Sequence, residues 1–258
     1  MTPSLLTFFA AALAGLCIGS FLNVVIYRLP KGQSIIFPGS ACPHCGHTVR
    51  WGDNLPLLGW VRLKGRCRDC RKPFGFQYPL VELLGGTAAV AVLYKFGLTL
   101  TGGVYFIFLC LLIIITFIDL KYQIIPDRTT LPAMVLALFA APFLANFSLI
   151  QALTGLVAGG GLLWSIAVLY SRLTGVEGIG GGDIKLMGLV GALTGWQGSL
   201  FTLFSGAVMG AAVGVALLLA KGKNMRTAIP FGPFLAAAAA TYLFFGKEII
   251  NWYLGFPA

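Results

Sequence analysis

The chain reads as an all-α, polytopic membrane protein of about eight transmembrane helices with one small cytosolic loop, and three observations lead there. Of its 258 residues, 58% are hydrophobic and only 10% are charged, too few polar side chains to cover a soluble surface. The apolar residues fall in long uncharged runs of the length that crosses a bilayer, about 20 residues. Eighteen Lys and Arg stand against eight Asp and Glu, an imbalance that fits membrane orientation, anionic lipid or nucleic acid until the charges are placed.

The first run, 4–27, carries no charge and has no basic residue before it. A cleaved secretory signal has a basic start, so a retained first helix is predicted. Ala14-Gly15-Leu16-Cys17 resembles a lipobox, but Leu16 stands where a small residue belongs. Further apolar runs occupy 80–96, 102–119, 129–146, 149–171, 184–197, 199–220 and 230–254. The run 184–197 is short, since about 14 residues at about 1.5 Å each fall well below a hydrocarbon core of about 30 Å.

Charge placement predicts that this short run crosses nonetheless. With eight spans and an outside N-terminus, the basic residues fall inside, with only Lys95 and Lys247 outside. Without the crossing, Lys221, Lys223 and Arg226 would face outward, against the positive-inside rule. Arg28, Lys31, Arg50, Arg62, Lys64, Arg66, Arg68, Arg71 and Lys72 share one loop. Orientation and contact with membrane lipid account for them, and no nucleic-acid partner is expected. The predicted organisation is a first transmembrane helix (1–28), a cytosolic cysteine-rich loop (29–78) and a transmembrane domain (79–258).

That loop carries Cys42-Pro43-His44-Cys45 and Cys67-Arg68-Asp69-Cys70. Two C-x-x-C knuckles bring four thiolates onto one tetrahedral ion, and the spacing between them, slightly longer than usual, is that of a four-cysteine structural zinc site. Neighbouring basic residues offset the charge of such a centre. Disulfides are the alternative, but a cytosolic loop is kept reduced, and redox pairs would need a thioredoxin-like setting. Cys42, Cys45, Cys67 and Cys70 close the site without His44 or His47. Cys17 and Cys110 lie in apolar runs, where cysteine acts as a small hydrophobe.

Carboxylates near bilayer depth are unfavourable and mark function. Asp119 ends the third span and Asp183 begins the sixth, after Gly180-Gly181-Gly182. The topology places both at the cytosolic face. If they meet, they share one proton: the ionised member deprotonates water while the protonated one hydrogen-bonds a substrate carbonyl, which is aspartyl proteolysis. The glycines before Asp183 permit positive φ and close backbone approach for an extended peptide. Each residue also has a plainer reading, Asp119 as a solvated helix end and Asp183 as a helix cap. Asp127, in Ile125-Pro126-Asp127-Arg128, resembles a cap but rivals Asp119.

At this point the chain resembles a known family. Gly19-Ser20-Phe21-Leu22-Asn23 through Arg28-Leu29-Pro30, the paired C-x-x-C loop, Tyr78-Pro79-Leu80-Val81-Glu82, Ile118-Asp119, Gly180-x-Gly182-Asp183-x-Lys185-Leu186 and Ile229-Pro230-Phe231-Gly232-Pro233 are similar to the type IV prepilin peptidases, in order and over nearly the whole chain. The resemblance implies a GxGD-type aspartyl protease with Asp119, in preference to Asp127, and Asp183 as catalytic residues. It also implies cytosolic cleavage of the leader of prepilins or pseudopilins after a glycine, in the bacterial inner membrane. Members with the cysteine loop are generally also N-methyltransferases that use S-adenosylmethionine. No glycine-rich nucleotide fingerprint is present, so the methyl-donor site has no motif to mark it.

Other residues carry two readings each. Glu82 at the start of the second span faces an active-site cavity or snorkels to the interface. Asn23 binds substrate backbone or, better supported, makes an interhelical hydrogen bond. Lys185 steadies Asp183 or anchors its helix. Gly206, Gly210 and Gly214 recur every four residues and predict close helix packing. A transporter with intramembrane carboxylates and a scaffold docking through its zinc loop are the competing functions, although no internal repeat supports the first.

Overall fold

The computed structural model describes residues 3–176, 178–221 and 229–254. Lys223 and Arg226 of the predicted inside cluster lie outside the described residues, and the side chains of Lys221 and Lys247 are likewise not described. The described residues form α1 (Leu5–Arg28), α2 (Leu58–Arg62), α3 (Gln77–Phe96), α4 (Leu100–Tyr122), α5 (Asp127–Ala140), α6 (Leu149–Leu156), α7 (Leu162–Thr174), α8 (Gly181–Lys221) and α9 (Gly232–Leu254). Among them the only strand-like pairings are the isolated bridges Ala41 with Thr48 and Arg66 with Pro73. The all-helical class is therefore as predicted, and each predicted apolar run is largely helical, although 129–146 leaves helix after Phe143.

Among the described residues, five helical stretches are long and apolar enough to cross a membrane: 5–31, 77–96, 100–122, 149–174 and 181–220. The last is 40 residues, about 60 Å of ideal helix and twice a hydrocarbon core. It does not run straight, because Gly195 interrupts it with φ 76° and ψ −180°. This left-handed, extended geometry is one that glycine adopts without a Cβ clash. The predicted break near residue 198 is thus corrected to residue 195, since backbone geometry and not a dip in hydropathy ends the first half. Similarly, the predicted run 149–171 is not one regular helix: α6 and α7 are joined by a π-helical turn, Val157–Gly161. α5, with 14 residues, and the apolar part of α9, Gly232–Gly246, are shorter.

The chain divides into two compact units, Met1–Ile114 and Ile115–Ala258, with the boundary inside α4. In the first, Ser4 caps α1 by accepting the Thr7 N–H at 3.3 Å, as a serine at a helix start should. α1 lies directly on α3: a Cβ at Gly19 would stand 2.7 Å from the Glu82 Cα. Asn23 Nδ2 donates to the Tyr78 carbonyl at 3.0 Å, so the expected interhelical hydrogen bond is present. At the end of α1 the Arg28 guanidinium donates to the carbonyls of Ser34 at 3.1 Å and Gly39 at 2.9 Å, tying the loop to the helix.

In the second unit α8 packs on α6 through facing glycines, Gly155 and Gly191, where a Cβ on either would collide with backbone of the other helix. Ser199 Oγ donates to the Gly155 carbonyl at 3.0 Å across the same contact. Gly206, Gly210 and Gly214 face Leu235, Phe234 and Ile229 respectively. The packing predicted for them is found, close at Gly206 and looser toward Gly214.

Candidate functional site

Four helix ends of the second unit bear on the candidate acids: the end of α4 and the starts of α5, α8 and α9. Asp119 lies one turn from the end of α4 and is 5% exposed. Its Oδ2 accepts the Gly232 N–H at 2.9 Å. Gly232 opens α9, so the carboxylate takes a donor that a helix start leaves unpaired, on the positive side of the helix dipole. A Cβ at Gly232 would stand 2.7 Å from that oxygen. Glycine lets the backbone come this close.

Asp183 is the third residue of α8, half-buried, and its N–H donates to the Gly180 carbonyl at 3.1 Å. It sits inside the first turn of the helix, not at the cap. The glycines before it do a different job from the one expected. Positive φ is found at none of Gly180, Gly181 and Gly182, which correct the reading that they supply left-handed backbone. Instead, Gly182 lets Ile125 approach, with a Cβ there only 2.8 Å from the Ile125 Cβ, while Gly181 has open space beside it. Ile125 also reaches within 3.3 Å of where a Gly232 Cβ would stand, so it packs between the two helix starts.

The four cysteines of the first unit converge, their Sγ atoms all lying within 4.8 Å of one another. Cys42 and Cys70 are 3.8 Å apart, and Cys45 and Cys67 are 3.9 Å apart. Four thiolates at about 2.3 Å from a tetrahedral ion are about 3.8 Å from each other, so the donor set fits such a metal. The two knuckles repeat one fold. Cys42 N–H donates to the His47 carbonyl at 2.9 Å, and Cys67 N–H donates to the Lys72 carbonyl at 2.9 Å. The residue after the second cysteine is left-handed in both, Gly46 at φ 74° and Arg71 at φ 58°. Arg68 forks onto both oxygens of Asp53 and holds its carboxyl below the usual carboxylate range. This pins the second knuckle to the turn Trp51–Asp53.

Residues 13–96 match the family model for the bacterial peptidase A24 N-terminal domain, and residues 106–215 match that for the type IV leader peptidase family. A protein of Pseudomonas aeruginosa called prepilin leader peptidase/N-methyltransferase is 38% identical over 95% of this chain and 92% of its own length. The chain belongs to the type IV leader peptidase family. Relatives of the same description from Xanthomonas campestris pv. campestris (38% identical, 97% of this chain, 96% of theirs) and Aeromonas hydrophila (38%, 94% and 92%) agree. No solved structure matches the chain significantly. Within this leader peptidase, the segment holding Asp119 and Asp183 falls in one family model and the cysteines in the other.

The remaining candidates separate clearly. Asp127 is the exposed first residue of α5, with Pro126 at the cap position, and it pairs with Lys185 Nζ at 2.7 Å. Lys185 therefore bridges α8 to α5, which answers its two readings with a third. Glu82 is 8% exposed, so it does not snorkel. Its Oε2 accepts the Leu57 N–H at 2.7 Å. Sequence reasoning did not anticipate the Gly232 N–H; its only signal was the Ile229–Pro233 motif, which says nothing of a partner 113 residues away.

Proposed function

We propose that this leader peptidase cleaves type IV prepilins or pseudopilins at the cytosolic face of the bacterial inner membrane and then methylates the new N-terminal amine. The observation that carries the reading is that Ile125 packs against both Gly182, beside Asp183, and Gly232, whose N–H donates to Asp119, with both acids inside the leader peptidase family segment. In this reading one proton is shared by the two carboxylates. The ionised carboxylate takes a proton from the attacking water while the protonated one gives its proton to the scissile carbonyl oxygen; as the resulting diol collapses, the first passes its proton to the departing amine and the second takes one back from the diol hydroxyl. Gly232 N–H holds Asp119 in orientation, and the open side of Gly181 leaves room for an extended peptide. Cys42, Cys45, Cys67 and Cys70 hold a structural zinc that staples a loop with little core of its own.

The relatives' N-methyltransferase name supports S-adenosylmethionine as cofactor. When bound, it offers a methyl group whose carbon–sulfur bond breaks toward sulfur as the amine lone pair forms the new bond and the amine loses a proton.

Incubating the purified enzyme with a prepilin and S-adenosylmethionine, and weighing the product, tests both steps. Loss of the leader and gain of one methyl are expected. Asp119→Asn or Asp183→Asn should abolish cleavage while the protein remains inserted; full cleavage by either variant would sink the assignment. A product with no mass change would favour transport or scaffolding.

A further inference from the structure

We propose that α2 lies in the lipid interface, its outer face of Leu58 and Val61 dipping into the boundary between headgroups and acyl chains of an anionic leaflet. Its height follows from two contacts in the first unit. Glu82 Oε2 accepts the Leu57 N–H at 2.7 Å, which fixes the start of α2 against α3, and a Cβ on Gly19 of α1 would stand 2.7 Å from the Glu82 Cα. Both α1 and α3 are long and apolar enough to cross a membrane. Gly19 comes about two and a half turns, or roughly 14 Å, before Arg28, the charged residue that ends α1. A glutamate side chain leans back toward the start of its own helix, so Leu57 sits on the order of 10 Å closer to the bilayer interior than Arg28. Interfacial helices lie about 5–10 Å into the same boundary.

The segment has an inner and an outer side. Gly59, Trp60 and Leu63 line the hollow between α1, α3 and the cysteine loop. Leu58 and Val61, three residues apart and so on one helix face, are 67% and 65% exposed. Phe76, also 67% exposed, extends this surface: its ring meets the Trp60 ring edge-on at 6.0 Å, and it stands immediately before α3. Single apolar residues at a surface need no explanation. A contiguous apolar face at bilayer depth does, and acyl chains cover it at no cost in hydration.

Charge decides between lipid and protein as the cover. Arg62 ends α2, and Lys64 and Arg66 follow it, all three exposed. Such side chains lay their aliphatic stems on apolar surface and carry their charge to the phosphates of the headgroups. The acids of the loop are Asp53 and Asp69; Asp53 is already held by Arg68, and Asp69 belongs to the second knuckle. The rim of the face is therefore cationic. A second copy of the chain meeting it about a two-fold axis would bring the same cations against these, whereas an anionic leaflet complements them. Cys67 follows α2 closely along the chain, so the leaflet and the four cysteines together fix the loop.

The test places a diazirine-bearing phenylalanine at position 58, 61 or 39 of the full chain, in nanodiscs made of equal parts phosphatidylglycerol and phosphatidylcholine, with and without a prepilin. Illumination turns the diazirine into a carbene that captures whatever lies beside it, and the mass of the protein reports the captured molecule. Position 39 is the aqueous reference, since the Gly39 carbonyl is held at the end of α1 by Arg28 and a Cβ there meets nothing within 4 Å. Lipid adducts are expected at 58 and 61, with phosphatidylglycerol about threefold over phosphatidylcholine, and water adducts at 39. Water adducts at 58 and 61, or cross-links there to a second chain or to the prepilin, overturn the proposal. Replacing Arg62, Lys64 and Arg66 together by glutamine should bring the two lipids to parity; a phosphatidylglycerol excess that survives this change overturns the role given to the cationic rim.

Discussion

Asp119 is held by the backbone N–H of a residue that has no side chain, and the distances make that a requirement. A Cβ at position 232 would sit 2.7 Å from Oδ2, so Gly232→Ala must push the carboxylate aside. Misplacing a reacting group by about 1 Å can cost on the order of a hundredfold in rate. Cleavage by Gly232→Ala should fall by about that much with unchanged membrane insertion; wild-type turnover would show that this hydrogen bond does not position the acid. Arg71 is the opposite case. It occupies the left-handed position that Gly46 fills in the other knuckle, at a conformational cost of about 1–2 kcal/mol for an L-residue. Arg71→Gly should keep one metal per chain by elemental analysis and require more chelator to strip it. Easier stripping would mean that the Arg71 side chain makes a contribution the backbone argument omits.

At the scale of elements, small residues decide which helices touch. A Cβ at Gly19 would meet the Glu82 Cα at 2.7 Å and the Val81 carbonyl oxygen at 2.8 Å. Both are backbone atoms, so nothing can rotate away. Gly19→Leu should therefore part α1 from α3 at a cost of about 1–3 kcal/mol, read as a lower unfolding midpoint in detergent. Gly103→Leu is the control, since a Cβ at Gly103 meets nothing within 4 Å, and it should unfold like the wild type. Equal losses in both variants would refute close packing as the reason for Gly19. The helices themselves were legible from apolar runs, because a bilayer demands length and lack of charge. Their interruptions were not: Gly195 and the π turn at Val157–Gly161 lie in stretches as apolar as their surroundings, so hydropathy could not mark them.

For the whole molecule, the surplus of basic residues predicts an orientation. Eighteen Lys and Arg against eight acids would place the α4–α5 connection inside and the α3–α4 connection outside. In a background lacking Cys17 and Cys110, an impermeant thiol reagent should label Leu98→Cys in intact spheroplasts and Ile124→Cys only after vesicle inversion. Both positions are exposed, at 82% and 46%. The reverse pattern would invert the topology and remove the candidate acids from the cytosolic face.

The sequence by itself determined the helical membrane class, the four-cysteine cluster and the two acids to watch. Each depends on local chemistry: run length, C-x-x-C spacing, and a charge where charge is unfavourable. Only the tertiary structure decided how those residues are held. It set Gly232 against Asp119, paired Lys185 with Asp127 across 58 residues and turned Glu82 toward Leu57. These contacts join residues distant along the chain, and their geometry depends on how close two helices can approach. A single glycine at the contact sets that distance, and no local pattern in the sequence says which residue the other helix will place against it.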